Sequence, residues 1–374
     1  MGVCEDCKAA DAALTIRKRN FCGPCFMNFA NIKASRRMEN YRSKNIGAGP
    51  KAQLLVPVSL GVSSTILLHV LDSLQERQLK SQGRTLYDLH IVNVNLSTAD
   101  TSGAHGLEAL QEVYSRHKYT TIPFSSIFQY DNEIGSVISE LSSSGFEDAP
   151  SKTDQERLDA FISAHSSATS RTDIEYTLLM RLIVAFAKDQ GCTGILWGHS
   201  DSRLAGRVLA DVAKGRGLSL PSQISEGISP SGLRYNFPLR DLLKTELEAY
   251  ASLLPERVSQ SIIPDRTIAD MPSTTKNMSI EDLMSQYIET QGAKYPSIMA
   301  NVVRTVNKLN PPAVQEPGIK CALCQMPMEE ASEGLSMPGD PQVSNGNAES
   351  STKRRNYCYG CARSCLDMEQ AERP

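Results

Sequence analysis

Val58-Ser59-Leu60-Gly61-Val62-Ser63-Ser64-Thr65 is the stretch on which the fold turns. It links an apolar run, Gln53–Ser59 (QLLVPVS), suited to a buried strand, to Ser63–Leu79, where Ile66, Leu67, Val70, Leu71 and Leu74 share one helical face. A strand, a glycine turn and a helix in that order form the place where α/β nucleotide-binding proteins hold phosphate on backbone amides and a helix N-terminus. An ordinary strand-to-helix turn capped by Ser63 or Ser64 fits the same residues.

Outward from this stretch the rhythm repeats. Asp88–Asn95 (DLHIVNVN) and Tyr119–Phe124 read as strands on either side of a helix at Gly106–His117. A helix over Asp173–Gln190 is stopped by Gly191, and Thr193–Gly198 (TGILWG) is a fourth buried strand. Ser202–Gly215 is helical, Gly232–Phe237 a fifth strand, and Leu242–Leu254 a last amphipathic helix. The alternation predicts an α/β fold, a doubly wound parallel five-stranded sheet covered on both faces. Residues 125–172 read as an insertion over the sheet, with helices near Ile134–Leu141 and Asp154–His165. The expected division is a cysteine module with a basic arm at 1–45, the α/β domain at 46–260, an extended connector at 261–317 and a second cysteine module at 318–374. The connector holds helices near Ser279–Gly292 and Ser297–Lys308, and the polar segment 329–355 is predicted to be disordered.

Hydrophobic residues make up 40% and charged residues 22% of the 374, the balance of a globular protein with a sizeable core. The apolar runs are too short for a membrane span, and the N-terminus lacks the layout of a secretory signal, so no membrane partner and a cytoplasmic setting are expected. The net charge of −3 is uneven. Residues 1–51 carry ten Lys or Arg against four Asp or Glu, which leaves −9 for the remainder. A basic arm on an acidic body suits a polyanionic partner and equally suits a solvated face.

Eight of the ten cysteines fall in four CxxC pairs. Cys4, Cys7, Cys22 and Cys25 form two knuckles 14 residues apart, able to close a tetrahedral four-thiolate site around zinc. Cys321, Cys324, Cys358 and Cys361 form a second set whose 33-residue gap adds little closure entropy, with Cys365 as a spare. Four thiolates leave a metal no open position, so both zinc sites are structural staples.

A further segment joins the loop. Ser59, Gly61 and Ser64 match the PP-loop motif Ser-Gly-Gly-x-Asp-Ser, while Leu60 replaces its first glycine and Ser63 its aspartate. Gly198-His199-Ser200-Asp201-Ser202-Arg203 resembles the Gly-His-Asn-x-Asp-Asp segment of PP-loop tRNA-modifying enzymes, and Pro238-Leu239-Arg240 matches their Pro-Leu-Arg. On these residues and the terminal cysteine modules the chain resembles the thiouridine-synthesis branch of the PP-loop group, and within it the cytoplasmic tRNA 2-thiolation protein 2 family.

The resemblance implies 2-thiolation of the wobble uridine of cytosolic tRNAs. It implies a heterodimer with a catalytically complete PP-loop paralogue, and sulfur from a ubiquitin-related carrier with a C-terminal thiocarboxylate. Enzymes of this branch carry central cysteines; here Cys192 is the one cysteine between Cys25 and Cys321. Ser59, Gly61, Ser63, Ser64, His199 and Ser200 therefore mark a degenerate nucleotide loop that departs from the ATP-binding pattern, with residual ATP binding left open, and no catalytic residue is assigned. Arg36, Arg37, Arg207, Lys214 and Arg240 are candidate tRNA contacts, with Phe21, Phe26, Phe29 and Tyr41 able to stack a base or to pack the zinc module. Arg207 and Arg240 suit internal ion pairs equally well. Two rival readings are a tRNA-adenylating sulfurtransferase in its own right and a zinc-module adaptor without RNA contact.

Overall fold

The computed structural model describes residues 2–41, 51–96, 102–141, 148–149, 151–264, 277–292, 294–309, 319–328, 356–366 and 368. Arg42, Lys44 and the segment 329–355 lie outside these residues.

A two-stranded hairpin, β1 (Leu14–Ile16) and β2 (Arg19–Phe21), leads into α1 (Gly23–Arg37). The α/β domain then runs β3 (Ala52–Pro57), α2 (Val62–Gln82), β4 (Tyr87–Asn95), α3 (Ser102–Val113) and β5 (Lys118–Pro123). Three helices follow, α4 (Ile127–Tyr130), α5 (Ile134–Leu141) and α6 (Asp154–Ser163), before the long α7 (Ala168–Asp189). The second half is β6 (Gly194–Leu196), α8 (Asp201–Ala213), α9 (Leu220–Ile224), β7 (Gly227–Ile228), β8 (Arg234–Asn236), α10 (Lys244–Ala251) and α11 (Glu256–Ser259). Then come α12 (Ile280–Gly292), α13 (Pro296–Lys308) and, after the second cysteine module begins, α14 (Tyr359–Leu366).

The sheet order is β5-β4-β3-β6-β8-β7. The first five strands are parallel, as expected; β7 adds a two-residue antiparallel edge. The chain reverses its direction of travel across the sheet between β3 and β6, the switch point where open α/β sheets hold ligands. Alternation along the strands divides the core. Leu55, Val92 and Ile195 face one side with α7; Leu54, Val56 and Ile91 face the other with α2. The N-terminal module, through Phe21 and Phe26, packs on the α2 side, and the C-terminal module, through Leu323 and Tyr357, packs on the α7 side.

Two expectations change. Residues 125–172 are not a cover laid over a finished sheet. Ile127, Ile134, Leu158 and Phe161 are buried in the α7-side core, and α6 starts with a Thr153–Glu156 capping box. The stretch read as an extended connector has its two expected helices, α12 and α13, packed on α8, with Ile288, Met299, Val303 and Val306 buried. Their apolar stripes need a partner helix, and α8 supplies it. Among the described residues no helix is long and apolar enough to cross a membrane.

Candidate functional site

Ser59–Thr65 and His199–Arg203 meet at the carboxyl edge, because β3 and β6 are neighbours. Gly198 makes the meeting possible: a Cβ there would lie 3.0 Å from the Ser64 Cα. At the phosphate turn the decisive residue is Leu60. It is fully buried and has φ 62°, the left-handed region where the motif's glycine belongs. A leucine there costs about 1–2 kcal/mol of backbone strain. Burial of the side chain offsets it: Leu60 lies against α3, and a Cβ at Gly106 would be 3.0 Å from the Leu60 Cδ1. The chain after α11 closes over the turn, with the Ile263 N–H donating to the Leu60 carbonyl at 2.8 Å. Ser64 donates to the Gly61 carbonyl at 3.1 Å, and its Oγ lies 3.4 Å from that of Ser59. The turn thus carries, at its glycine position, a leucine anchored in the α2-side core. Ser63 offers no carboxylate for a metal ion.

The second turn is likewise converted to structural use. Ser200 caps α8 by accepting from the Arg203 N–H, and Ser202 accepts from the Lys244 N–H. His199 is stacked between Trp197 and Phe237, at 5.9 and 5.7 Å between ring centroids. Burial, with Arg203 and Arg207 nearby, pushes its imidazole down to about 3, so the ring is neutral at physiological pH. Asp201 escaped the sequence reading because it occupies the motif's variable position. Its side chain is buried beside Asp241, and desolvation followed by that like charge raises its carboxyl to about 6. An acid whose folded pKa is raised contributes most below the unfolded value of about 3.9 and loses that contribution as pH rises through 6. Asp201→Asn should therefore raise stability at pH 7.5 by about 1–2 kcal/mol and flatten the pH dependence between 4 and 6, read from urea midpoints across that range.

Both cysteine sets converge. Within Cys4, Cys7, Cys22 and Cys25, and within Cys321, Cys324, Cys358 and Cys361, the sulfurs lie within 4.8 Å of one another. The Cys7–Cys22 and Cys324–Cys358 sulfurs are 3.9 and 3.7 Å apart. A tetrahedral zinc with bonds of about 2.3 Å places its sulfurs about 3.8 Å apart, so the donor sets fit a single zinc-sized ion. Cys365 is buried outside the set, and burial raises its thiol well above the usual range. Cys192 is buried too, its thiol pushed up to about 11, which suits packing rather than nucleophilic chemistry.

Comparison with known proteins adds the decisive observation. The chain is 46% identical to the cytoplasmic tRNA 2-thiolation protein 2 of Coccidioides immitis over 98% of both chains. It is 42% identical to that of Aspergillus oryzae over 96% of both. A family model described as cytoplasmic tRNA 2-thiolation protein 2 matches residues 279–363. The chain belongs to this family. Among solved structures, the U34-tRNA thiolase NcsA from Methanococcus maripaludis, determined with its [4Fe-4S] cluster, matches with a TM-score of 0.54 at 12% identity, over 82% of this chain and 87% of that one. At that identity the likeness speaks for the fold, which is of PP-loop type.

Within this family member most of the candidate RNA cations are already engaged. Lys214, 4% exposed at its side chain, sits among Asp173, Asp211 and Glu281. Arg207 pairs with Asp211 at 2.9 Å and lies 3.5 Å over the Tyr176 ring. Arg240 is buried beside Glu226. These three face the interior, which corrects their reading as phosphate contacts: desolvated cations need acids, and each has one within reach. Arg37 is half-turned inward, clamped to Asp241 at 2.7 and 2.8 Å and to Glu226 at 3.1 Å. With Arg17 on Glu246 and Lys33 on the Asp241 carbonyl, it docks the N-terminal module on the turn after β8. Phe21, Phe26 and Phe29 pack together and against Tyr250, and Tyr41 packs edge-on to Tyr87, so these rings form module core. Arg36 is exposed, as is Arg203, and among the described residues neither makes an ion pair.

Proposed function

We propose that this chain serves 2-thiolation of the wobble uridine of cytosolic tRNAs as the subunit without an active site of its own. A PP-loop paralogue supplies the chemistry in a heterodimer, and sulfur arrives from a thiocarboxylated ubiquitin-related carrier. Arg36 and Arg203 contribute phosphate contacts, and zinc in the two four-cysteine sites holds the modules together. The observation that carries this reading is Leu60: a leucine holds the left-handed position of the motif's glycine, its side chain is anchored in the core against α3, and its carbonyl is taken by the Ile263 N–H. Activation of a uridine carbonyl needs ATP phosphates on loop amides, a metal-binding acid and a sulfur nucleophile. Leu60 and Ser63 replace the motif's glycine and acid, and Cys192 lies buried at the amino end of β6, away from the carboxyl edge where the two turns meet.

The test is mass spectrometry of thiolated tRNA from cells lacking this chain. Reintroduced Ser63→Ala/Cys192→Ala should restore thiolation to the wild-type level; a folded variant that restores none would show that this chain does the chemistry. Leu60→Gly should cost about 2 kcal/mol, cavity loss outweighing relief of strain, and should gain no ATP binding by calorimetry. Charge reversal at Arg36 and Arg203 should weaken tRNA binding and shallow the salt dependence of log K by roughly one for each lost phosphate contact. Unchanged affinity in the double reversal would favour an adaptor that does not touch RNA.

A further inference from the structure

The C-terminal cysteine set is gripped by the α/β domain in a way the N-terminal set is not. Arg216 follows α8 through Gly215, which has φ 76°. Its side chain is 2% exposed and pairs with Asp173 of α7, which is fully buried. From that position Arg216 Nη1 points at two sulfurs of the set, Cys361 Sγ at 3.3 Å and Cys358 Sγ at 3.8 Å. A second arginine, Arg181 of α7, 3% exposed and paired with Asp131, donates to the carbonyls of Ala322 and Leu323. Those two residues separate Cys321 from Cys324. Each knuckle is thus held by one buried arginine of the domain, the first through its carbonyls and the second through its sulfurs.

The fit is interlocked in both directions. Gly360 lies inside the second knuckle, and a Cβ there would come 2.5 Å from Arg216 Cγ. Tyr359 beside it lies over Gly215, where a Cβ would come 2.4 Å from the ring. Ser364 of α14 donates to Asp173 at 2.8 Å, tying the same carboxylate to the module. The charges explain the arrangement. A divalent ion with four thiolates carries a net charge of −2, and burying it requires cations nearby. N–H donors aimed at thiolate sulfurs stabilise the ionised form, as partners behind metal ligands generally do.

We propose that Arg216, with Arg181, is a positioning residue of the C-terminal metal site, so that metal binding there latches the C-terminal module to α7 and α8. This rests on the reading that the four cysteines hold a metal ion. Loss of the ion replaces thiolates by poorer acceptors and leaves Arg216 facing them, so the latch and the ion stand or fall together.

The experiment uses the full chain loaded with zinc, with metal counted per chain during titration by a competing chelator. Cys321→Ser/Cys358→Ser identifies the equivalent that belongs to this site. In Arg216→Met that equivalent should pass to the chelator at 10- to 100-fold lower chelator concentration, by the usual effect of removing a partner behind a metal ligand, roughly one to two decades. The N-terminal equivalent should be unchanged, and Arg216→Lys should fall between. Asp173→Asn/Arg216→Met removes both charges of the buried pair and guards against simple misfolding; it should show the same selective loss. Cobalt-loaded protein should show a displaced sulfur-to-metal charge-transfer band in both Met variants. Wild-type chelator resistance of the C-terminal equivalent in the folded double variant, with an unmoved cobalt band, would overturn the proposal. If Cys321→Ser/Cys358→Ser removes no equivalent, the metal reading itself fails and takes the latch with it.

Discussion

Asp173→Ala is expected to destabilise the protein by about 3–5 kcal/mol, the usual cost of breaking a buried ion pair by deleting one partner. The carboxylate is fully buried and serves Arg216, Lys214 and Ser364 at once. Its removal leaves buried Arg216 with only the Cys358 and Cys361 sulfurs, while Lys214 retains Asp211 and Glu281. Burial alone would raise the Asp173 carboxyl, but Arg216 and Lys214 together hold it at about 2. A folded pKa below the unfolded value of about 3.9 means that its stabilisation is complete above pH 4 and drains away as pH falls toward 2. The variant should therefore show its full deficit at neutral pH, measured as a shift of the urea midpoint with unchanged slope. A shift under 1 kcal/mol would mean that the two cations find water or other acids, and the network would then count for little.

Cys22→Ser is expected to unfold the N-terminal module while the sheet persists. The module consists of a hairpin of three-residue strands and one 15-residue helix, too little to bury a core unaided. Structural zinc in such settings contributes an apparent 10–16 kcal/mol, roughly, to folding at neutral pH. Without a metal ion, what remains is the packing of Phe21, Phe26, Ala30, Ala34 and Met38 of the module's α1 side on the α2-side core, which does not itself fix the cysteine knuckles, and the ion pairs of Arg17 and Arg37, both partly exposed and worth about 1 kcal/mol each at most. Trypsin should then cleave early after Arg36 or Arg37, and backbone amides of α1 should exchange fast, while amides of β3 and β4 remain protected. Full protection of α1 in Cys22→Ser would show that docking, not the ion, holds the module.

Much of this was legible in the residues. QLLVPVS and DLHIVNVN are short apolar runs that only a buried parallel sheet accommodates, and both proved to be central strands. The CxxC spacing brought each set of four sulfurs together because two knuckles impose their own geometry. Partners far apart in sequence were not legible. Arg37 looked like any basic residue, since Asp241 lies 204 positions away, and Lys214, although Asp211 is close by in sequence, is drawn inward by Asp173 and Glu281, 41 and 67 positions away. The helices α12 and α13 read as a connector because an apolar stripe does not announce the helix it will meet. Leu60 was legible as a departure from a motif, but its anchoring depends on Gly106 and Ile263, which only the fold brings to it.

The order of synthesis gives the Asp173–Arg216 grip a cost of its own. The sheet is complete by residue 236, yet further partners of Arg181 and Asp173 on α7 and of Arg216 after α8 come from Ala322, Leu323 and Cys358–Ser364, far along the chain. Until residues 321–364 emerge, a nascent chain has Asp173 paired with Arg216 and Lys214 and Arg181 with Asp131, but leaves the N–H groups of Arg181 and Arg216 that face the cysteine knuckles without their acceptors. A premature stop just before Tyr357 should thus be nearly as harmful as one in mid-domain, and the truncated product a target for degradation although every strand is present.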